Sequence, residues 1–179
     1  MLTGFWQKVG KRLRVMTALR RAGTDTNSRL NRIQAKHLLV LCYGNIYRSP
    51  LVARLLSDSL DGGFEIQSAG FHQKAHRSSP EQHISMAARY NIDLSQHRST
   101  VINPELVQWA DLIIIMDRHN WYALAELSSD AVHKTIWLGA LLKGSSAEIV
   151  DPYGESPEKA EMIVQQLKDA TEALIKRLR

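Results

Sequence analysis

His37-Leu38-Leu39-Val40-Leu41-Cys42-Tyr43-Gly44-Asn45-Ile46-Tyr47-Arg48-Ser49-Pro50 is the stretch that decides the fold of this 179-residue chain. Its first six residues form a short apolar run of the kind a buried strand needs. Residues 43–48 read as a turn. A helix follows from Ser49 to about Leu60, with Pro50 tolerated in the first turn, where no amide donor is required, and Gly62-Gly63 breaking it. The same alternation continues outward. A second strand is expected at 64–68, then a polar loop at 70–79, and a helix from Ser79 to Tyr90 with Ser79 as cap and Pro80 at its first position. A short helix near 104–109 precedes a third strand at 111–116, a helix at 118–127 and a fourth strand at 132–138. A loop leads to Asp151-Pro152-Tyr153-Gly154, and Ser156-Pro157 opens a final helix to Leu178. Its apolar positions Ala160, Ile163, Val164, Leu167, Ala170, Leu174 and Leu178 recur at helical spacing. This order predicts an α/β fold: a small doubly wound sheet of about four parallel strands with helices on both faces. Such sheets bind ligands beyond the carboxyl ends of their strands. The loop after the first strand is therefore where chemistry is expected.

Composition supports one globular unit. Apolar residues make up 44% and charged residues 23%, near the averages for soluble domains. No apolar run has the length of a membrane-spanning helix. There is one cysteine, which rules out an internal disulfide and a thiolate metal cluster and suggests a reducing, cytoplasmic setting. The seven histidines form no HExxH pattern. Neither a metal nor another cofactor is called for, and no nucleic-acid partner is expected. The net charge of +5 is unevenly spread. Residues 1–36 carry nine Lys and Arg against one acid, a net +8, whereas residues 37–179 carry fourteen against seventeen, a net −3.

Cys42 and Arg48 stand at the two ends of a five-residue loop between strand and helix. Such a loop can turn successive amides inward to make a nest for a tetrahedral anion at the positive end of the helix. Gly44 is expected to supply a backbone dihedral other residues resist. Arg48 can grip two oxygens in a bidentate fork. The same field favours the Cys42 thiolate over the thiol, and so a nucleophile. Ser49 can donate to the sulfur or cap the helix beside Pro50. Attack on a phosphate monoester needs an acid for the leaving oxygen and later a base for water. Asp151, fixed by Pro152 and followed by Tyr153, can serve both steps, although an Asp-Pro pair alone reads as an ordinary turn.

Taken together, the Cys42 to Pro50 loop, Ser68-Ala69-Gly70, His97-Arg98, Met116-Asp117 and Asp151-Pro152-Tyr153 resemble the low-molecular-weight protein-tyrosine phosphatases, in consistent order from about His37 to the C-terminus. The resemblance implies hydrolysis of phosphotyrosine in protein substrates through a phosphocysteine intermediate. By it Cys42 is the nucleophile, Arg48 the phosphate clamp, Ser49 the aid to sulfur departure and Asp151 the general acid. Tyr43, Gly44, Asn45, Ile46 and Tyr47 line the phosphate loop, with Phe71 and Tyr153 at its rim, while Asn45, Ser68 and His97 brace it. Two departures stand out. Tyr47 replaces the family's second loop cysteine, so no protective disulfide can form. The loop Phe71-His72-Gln73-Lys74-Ala75-His76 lacks the usual Trp or Tyr wall, which leaves Phe71 or a histidine to replace it. Ile46, where phosphoarginine-specific relatives tend to have threonine, favours an aryl phosphate. Two alternatives share this scaffold: thiol-dependent arsenate reduction, disfavoured because the self-contained type needs more cysteines, and a non-catalytic phosphoprotein-binding module.

The expected domain division is a basic, partly amphipathic extension and linker over 1–36 and a catalytic domain over 37–179. On a helix over 2–20, Leu2, Phe5, Trp6, Val9, Leu13 and Met16 share one side. Residues 2–21 are then candidates to lie on an anionic membrane surface, making the protein membrane-peripheral, or to dock on an acidic partner. Capping of the protein's own domain and a removable organelle-targeting peptide are the other readings. Residues 22–36 read as a polar linker.

Overall fold

A computed structural model describes residues 2–179, with side chains described from Gly10 onward. Strands β1 (His37–Cys42), β2 (Glu65–Gly70), β3 (Leu112–Ile115) and β4 (Thr135–Trp137) form one parallel sheet in the order β2-β1-β3-β4. The helices are α1 (Leu2–Leu30), α2 (Arg48–Ser59), α3 (Glu81–Ala88), α4 (Pro104–Trp109), α5 (Arg118–Leu127) and α6 (Pro157–Leu178). The β1 crossover returns to β2 and the β3 crossover to β4, on opposite sides. The loops leaving β1 and β3 therefore diverge, opening a crevice at the carboxyl ends of the two central strands.

Strand alternation divides the core cleanly. Leu38, Val40 and Cys42 face one layer with Leu112 and Ile114, covered by α2, α3 and α6. Leu39 and Leu41 face the other with Ile113 and Ile115, beneath α1, α4 and α5. The helical row expected for α6 is largely realised: Ile163, Val164, Leu167, Ala170 and Leu174 are buried, and Ser156 Oγ caps the helix by accepting the Lys159 amide at 3.3 Å.

Some boundaries differ from expectation. The segment at 132–138 contributes only Thr135–Trp137 to the sheet, since Asp130–Lys134 closes into a 3₁₀ turn. Ser79 does not cap α3. Its Oγ is buried without a hydrogen-bond partner, and Pro80 occupies the cap position.

The larger correction concerns the extension. Residues 22–30 are not a polar linker but the second half of α1. Ala22, Thr26 and Leu30, four residues apart, form a buried row. Asp25 pairs on the outer side with Arg21 at 3.7 Å and Arg29 at 3.8 Å. Thr26 Oγ1 accepts the Trp137 amide at 3.2 Å, and Arg29 donates to the Thr135 carbonyl. Burial outweighs the pull of Asp25 and lowers the Arg29 pKa from its ordinary value. Among the described residues no helix is long and apolar enough to cross a membrane.

Candidate active site

Cys42 closes β1, and its Sγ lies among polar groups at the mouth of the loop. Ser49 Oγ is 3.0 Å away, and the Asn45 amide donates to the sulfur at 3.2 Å. The loop turns on Asn45, whose φ of 50° lies in the left-handed region; Gly44 has no positive φ. The expected glycine dihedral is thus made one residue later, where an Asn side chain can hold it in place. Asn45 Nδ2 donates to Ser49 Oγ and to Ser68 Oγ, both at 2.9 Å, and Oδ1 accepts the Thr100 amide at 2.7 Å. His97 Nε2 donates to the Asn45 carbonyl at 2.7 Å. Burial lowers the His97 pKa, keeping the ring neutral as a single-proton donor. The three bracing residues expected from sequence are therefore joined in one network. Gly70 makes room for it: a Cβ there would lie 2.7 Å from the Tyr43 carbonyl and 2.8 Å from the Asn45 amide.

Arg48 is 1% exposed and sits at the start of α2. Nη1 donates to Asp117 Oδ2 and, at 2.9 Å, to the Ile149 carbonyl, while Nη2 donates to Asp151 Oδ2. Burial works against its charge. The fields of Cys42, Asp151 and Asp117 nonetheless outweigh burial and raise its pKa above the ordinary value. Nε is buried without a hydrogen-bond partner. An orphaned guanidinium donor is costly, about 1–3 kcal/mol, unless the site is built to present it to an anion. Asp151 reaches Arg48 because the Ile149 amide docks on the Met116 carbonyl at 2.8 Å, pinning the late loop to the end of β3. Asp151 Oδ1 then accepts the Tyr153 amide at 3.2 Å, which fixes the turn.

The rim is aromatic on two sides. Tyr153 is 74% exposed and meets Tyr47, which also packs against His83 with ring centroids 4.8 Å apart. His83 Nε2 donates to the Tyr47 carbonyl at 2.9 Å. Across the loop Tyr43, 56% exposed, meets His72 edge-on at 5.7 Å. Phe71 is half-buried and packs against the core layer beneath α4 and α5. Ile46 is half-buried and its Cγ1 lies 3.2 Å from where a Gly44 Cβ would stand.

A family model described as low molecular weight phosphotyrosine protein phosphatase matches residues 37–179. The chain belongs to that family. Among curated relatives, the low molecular weight protein-tyrosine-phosphatase Etp of Escherichia coli is 30% identical over 141 residues, covering 79% of this chain and 93% of the relative. The protein-arginine-phosphatase of Geobacillus stearothermophilus is also 30% identical over 141 residues, covering 79% and 92%. Among solved structures, the tyrosine phosphatase AmsI of Erwinia amylovora superposes with a TM-score of 0.74 at 27% identity, covering 79% of this chain and 92% of that one. The phosphatase family match begins at His37, so α1 lies outside it.

Two polar residues of this phosphatase site escaped the sequence. Asp117 was visible only as part of a Met-Asp pair, yet it both accepts from Arg48 and caps α5 through the Asn120 amide at 2.9 Å. Arg77 donates to the Gly44 carbonyl from outside the loop. Nothing in its local pattern marks it.

Proposed function

We propose that the protein hydrolyses phosphotyrosine in protein substrates by two in-line transfers through Cys42. In the first, the Cys42 thiolate attacks phosphorus, the bond from phosphorus to the tyrosyl oxygen breaks, and the Asp151 carboxyl gives its proton to that oxygen. In the second, water attacks phosphorus, Asp151 takes its proton, and the sulfur leaves with the Ser49 hydroxyl donating to it. Arg48 and the inward amides of residues 43–48 hold the non-bridging oxygens throughout, where charge accumulates.

The observation that carries the reading is the position of Arg48. One buried guanidinium sits in the field of Cys42, is bonded to Asp151, and retains an unpartnered Nε donor. An oxyanion held there has the nucleophile and the acid on either side. Phosphoryl oxygens reaching Nη2 displace Asp151 from it, and Asp151, taking up a proton from solvent or from the incoming phosphate monoanion, meets the leaving oxygen as a carboxylic acid.

Phosphotyrosine is preferred to phosphoarginine because Ile46 adds an aliphatic wall to the loop, and because Tyr43 and Tyr153 offer exposed rings to an aryl group. Cys42 is the only thiol, so a reductase relay through several cysteines of one chain has no groups to use. The decisive assay compares phosphotyrosine peptide, phosphoarginine and an aryl phosphate with wild type and Cys42→Ser. Loss of all turnover in the variant, with phosphotyrosine the best substrate, is expected. Retained activity in Cys42→Ser would overturn the mechanism, and faster release from phosphoarginine would overturn the substrate.

Residues 2–21, with six Lys and Arg and no acid, are assigned a second binding role, toward an anionic surface or an acidic partner. The division into an extension over 1–36 and a catalytic domain over 37–179 belongs to the same reading.

A further inference from the structure

The sequence leaves open whether the apolar side of α1 is spent on the protein's own domain. The described side chains separate two faces. Ala22, Thr26 and Leu30 are buried, and Ala18 and Leu19 pack on the core layer beneath α1, so this row docks the helix. Leu13 and Met16 belong to neither layer and are 59% and 51% exposed. At 3.6 residues per turn they lie roughly 120° around the helix from the docked row. Leu2, Phe5, Trp6 and Val9, whose side chains lie outside the described residues, continue the Leu13 and Met16 row by helical period in the sequence. Of the exposed arginines, Arg12 lies roughly 70° to one side of this row, Arg20 falls on its line and Arg14 lies roughly 130° around from it.

Beside Met16 the helix crosses α5, and between them lies a cavity of about 640 Å³. Val15, Met16 and Tyr122 give it an apolar floor, and Lys11, Arg12, Arg118 and His119 surround it with basic groups. Lys11 and Arg118 are paired with Glu126 and Glu148; Arg12 projects from the exposed side of α1.

We propose that α1 seats the protein on an anionic phospholipid bilayer, with the Leu13 and Met16 row entering the acyl boundary and the exposed Arg12 and Arg20 meeting the phosphate headgroups. An exposed apolar row on a helix with six Lys and Arg and no acid from residue 2 to residue 21 is complementary to an anionic lipid interface. An acidic protein is less well matched, because carboxylates would pair with the arginines and leave the apolar row in water. The second half of α1 is already held by the Trp137 and Thr135 bonds, so the helix need not form on binding. This inference rests on the charge reading of residues 2–21 and is independent of the catalytic assignment.

The test is co-sedimentation of the full chain with vesicles of phosphatidylcholine alone and of phosphatidylcholine mixed with phosphatidylglycerol, at low and high salt. Binding is expected only to the anionic vesicles and should weaken with salt. Leu13→Glu/Met16→Glu should lower it at least tenfold, and Arg12→Glu by about fivefold or more, while hydrolysis of a soluble aryl phosphate stays at the wild-type rate and circular dichroism confirms folding. Equal binding to neutral vesicles, or undiminished binding by the double variant, would overturn the proposal. Capture by polyglutamate without vesicle binding would overturn it too, in favour of an acidic protein. Loss of aryl phosphate hydrolysis in Cys42→Ser with vesicle binding intact separates the two assignments.

Discussion

Tyr47 and Tyr153 meet edge to face, ring centroids 6.2 Å apart and planes at 77°, so the phosphate loop touches the loop that carries Asp151. The contact exists because position 47 carries an aromatic ring. Burial, with the fields of Asp151 and Tyr153 adding to it, raises the Tyr47 pKa and keeps its hydroxyl neutral. An aromatic pair of this kind is worth about 0.5–1.5 kcal/mol. Tyr47→Leu is therefore expected to lower kcat by about two- to tenfold, with the larger loss on aryl phosphates whose leaving groups most need a proton. A uniform loss across leaving groups would show that the ring does not position Asp151.

Asp117 and Arg48 form the most enclosed ion pair of the site. Asp117→Asn keeps the α5 cap but removes the charge facing the guanidinium. The expected result is a fall in kcat/KM of about tenfold, in line with the ~1.5–3 kcal/mol of a charge-assisted bond partly retained. Inorganic phosphate should inhibit the variant less tightly. Unchanged inhibition would mean that Asp117 serves only the helix.

Gly70→Ala addresses the floor of the loop. Both atoms the new methyl would strike belong to backbone, so neither can swing away. A loss of about 1–3 kcal/mol is expected, measurable as a lower thermal midpoint together with weaker phosphate binding. Full stability with full activity would contradict the packing described.

Two histidines give the protein an acid limit. Burial lowers the pKa of His83 and of His97 beneath the ordinary 6.5, although each ring donates to a carbonyl that opposes the shift. The unfolded chain then binds more protons between the folded and unfolded values. Stability is complete above 6.5 and falls as pH drops through the window below it. Thermal melts should show that decline, and His83→Gln, which keeps a donor for the Tyr47 carbonyl without a titrating ring, should flatten part of it. A decline of equal steepness in the variant would exclude His83 as a source.

Thr26→Val tests the docking of α1. It removes the oxygen that accepts the Trp137 amide while preserving shape, leaving a buried donor unpaired. The expected cost is about 1–3 kcal/mol, with roughly 2–4 °C lost for each kcal/mol in a chain of this size.

How far the sequence could be read depends on how local each signal was. β1, α2 and α6 were legible because an apolar run, a tolerated proline and a helical row each lie within one element. The family motifs likewise led to Cys42, Arg48, Asn45, Ser68, His97 and Asp151, which the fold gathers at one crevice. The second half of α1 was not legible, since the residues it buries include small Ala22 and polar Thr26, whose burial makes sense only against β4. Phe71 shows the same limit: its aromatic character suggested the rim, and its half-buried packing against the core layer could not be read from that character. Asp117 meets Arg48 across 69 residues, and no spacing rule within a single element reports such a pairing.

β4 is the last strand of the sheet, and its outer rim presents main-chain groups that another polypeptide could bond. Thr26 and Arg29 take the Trp137 amide and the Thr135 carbonyl for themselves, so α1 acts as a plug against intermolecular strand pairing. A fragment trimmed to the family boundary at His37 would bare that rim and self-associate as its concentration rises, even though every catalytic group remained in it.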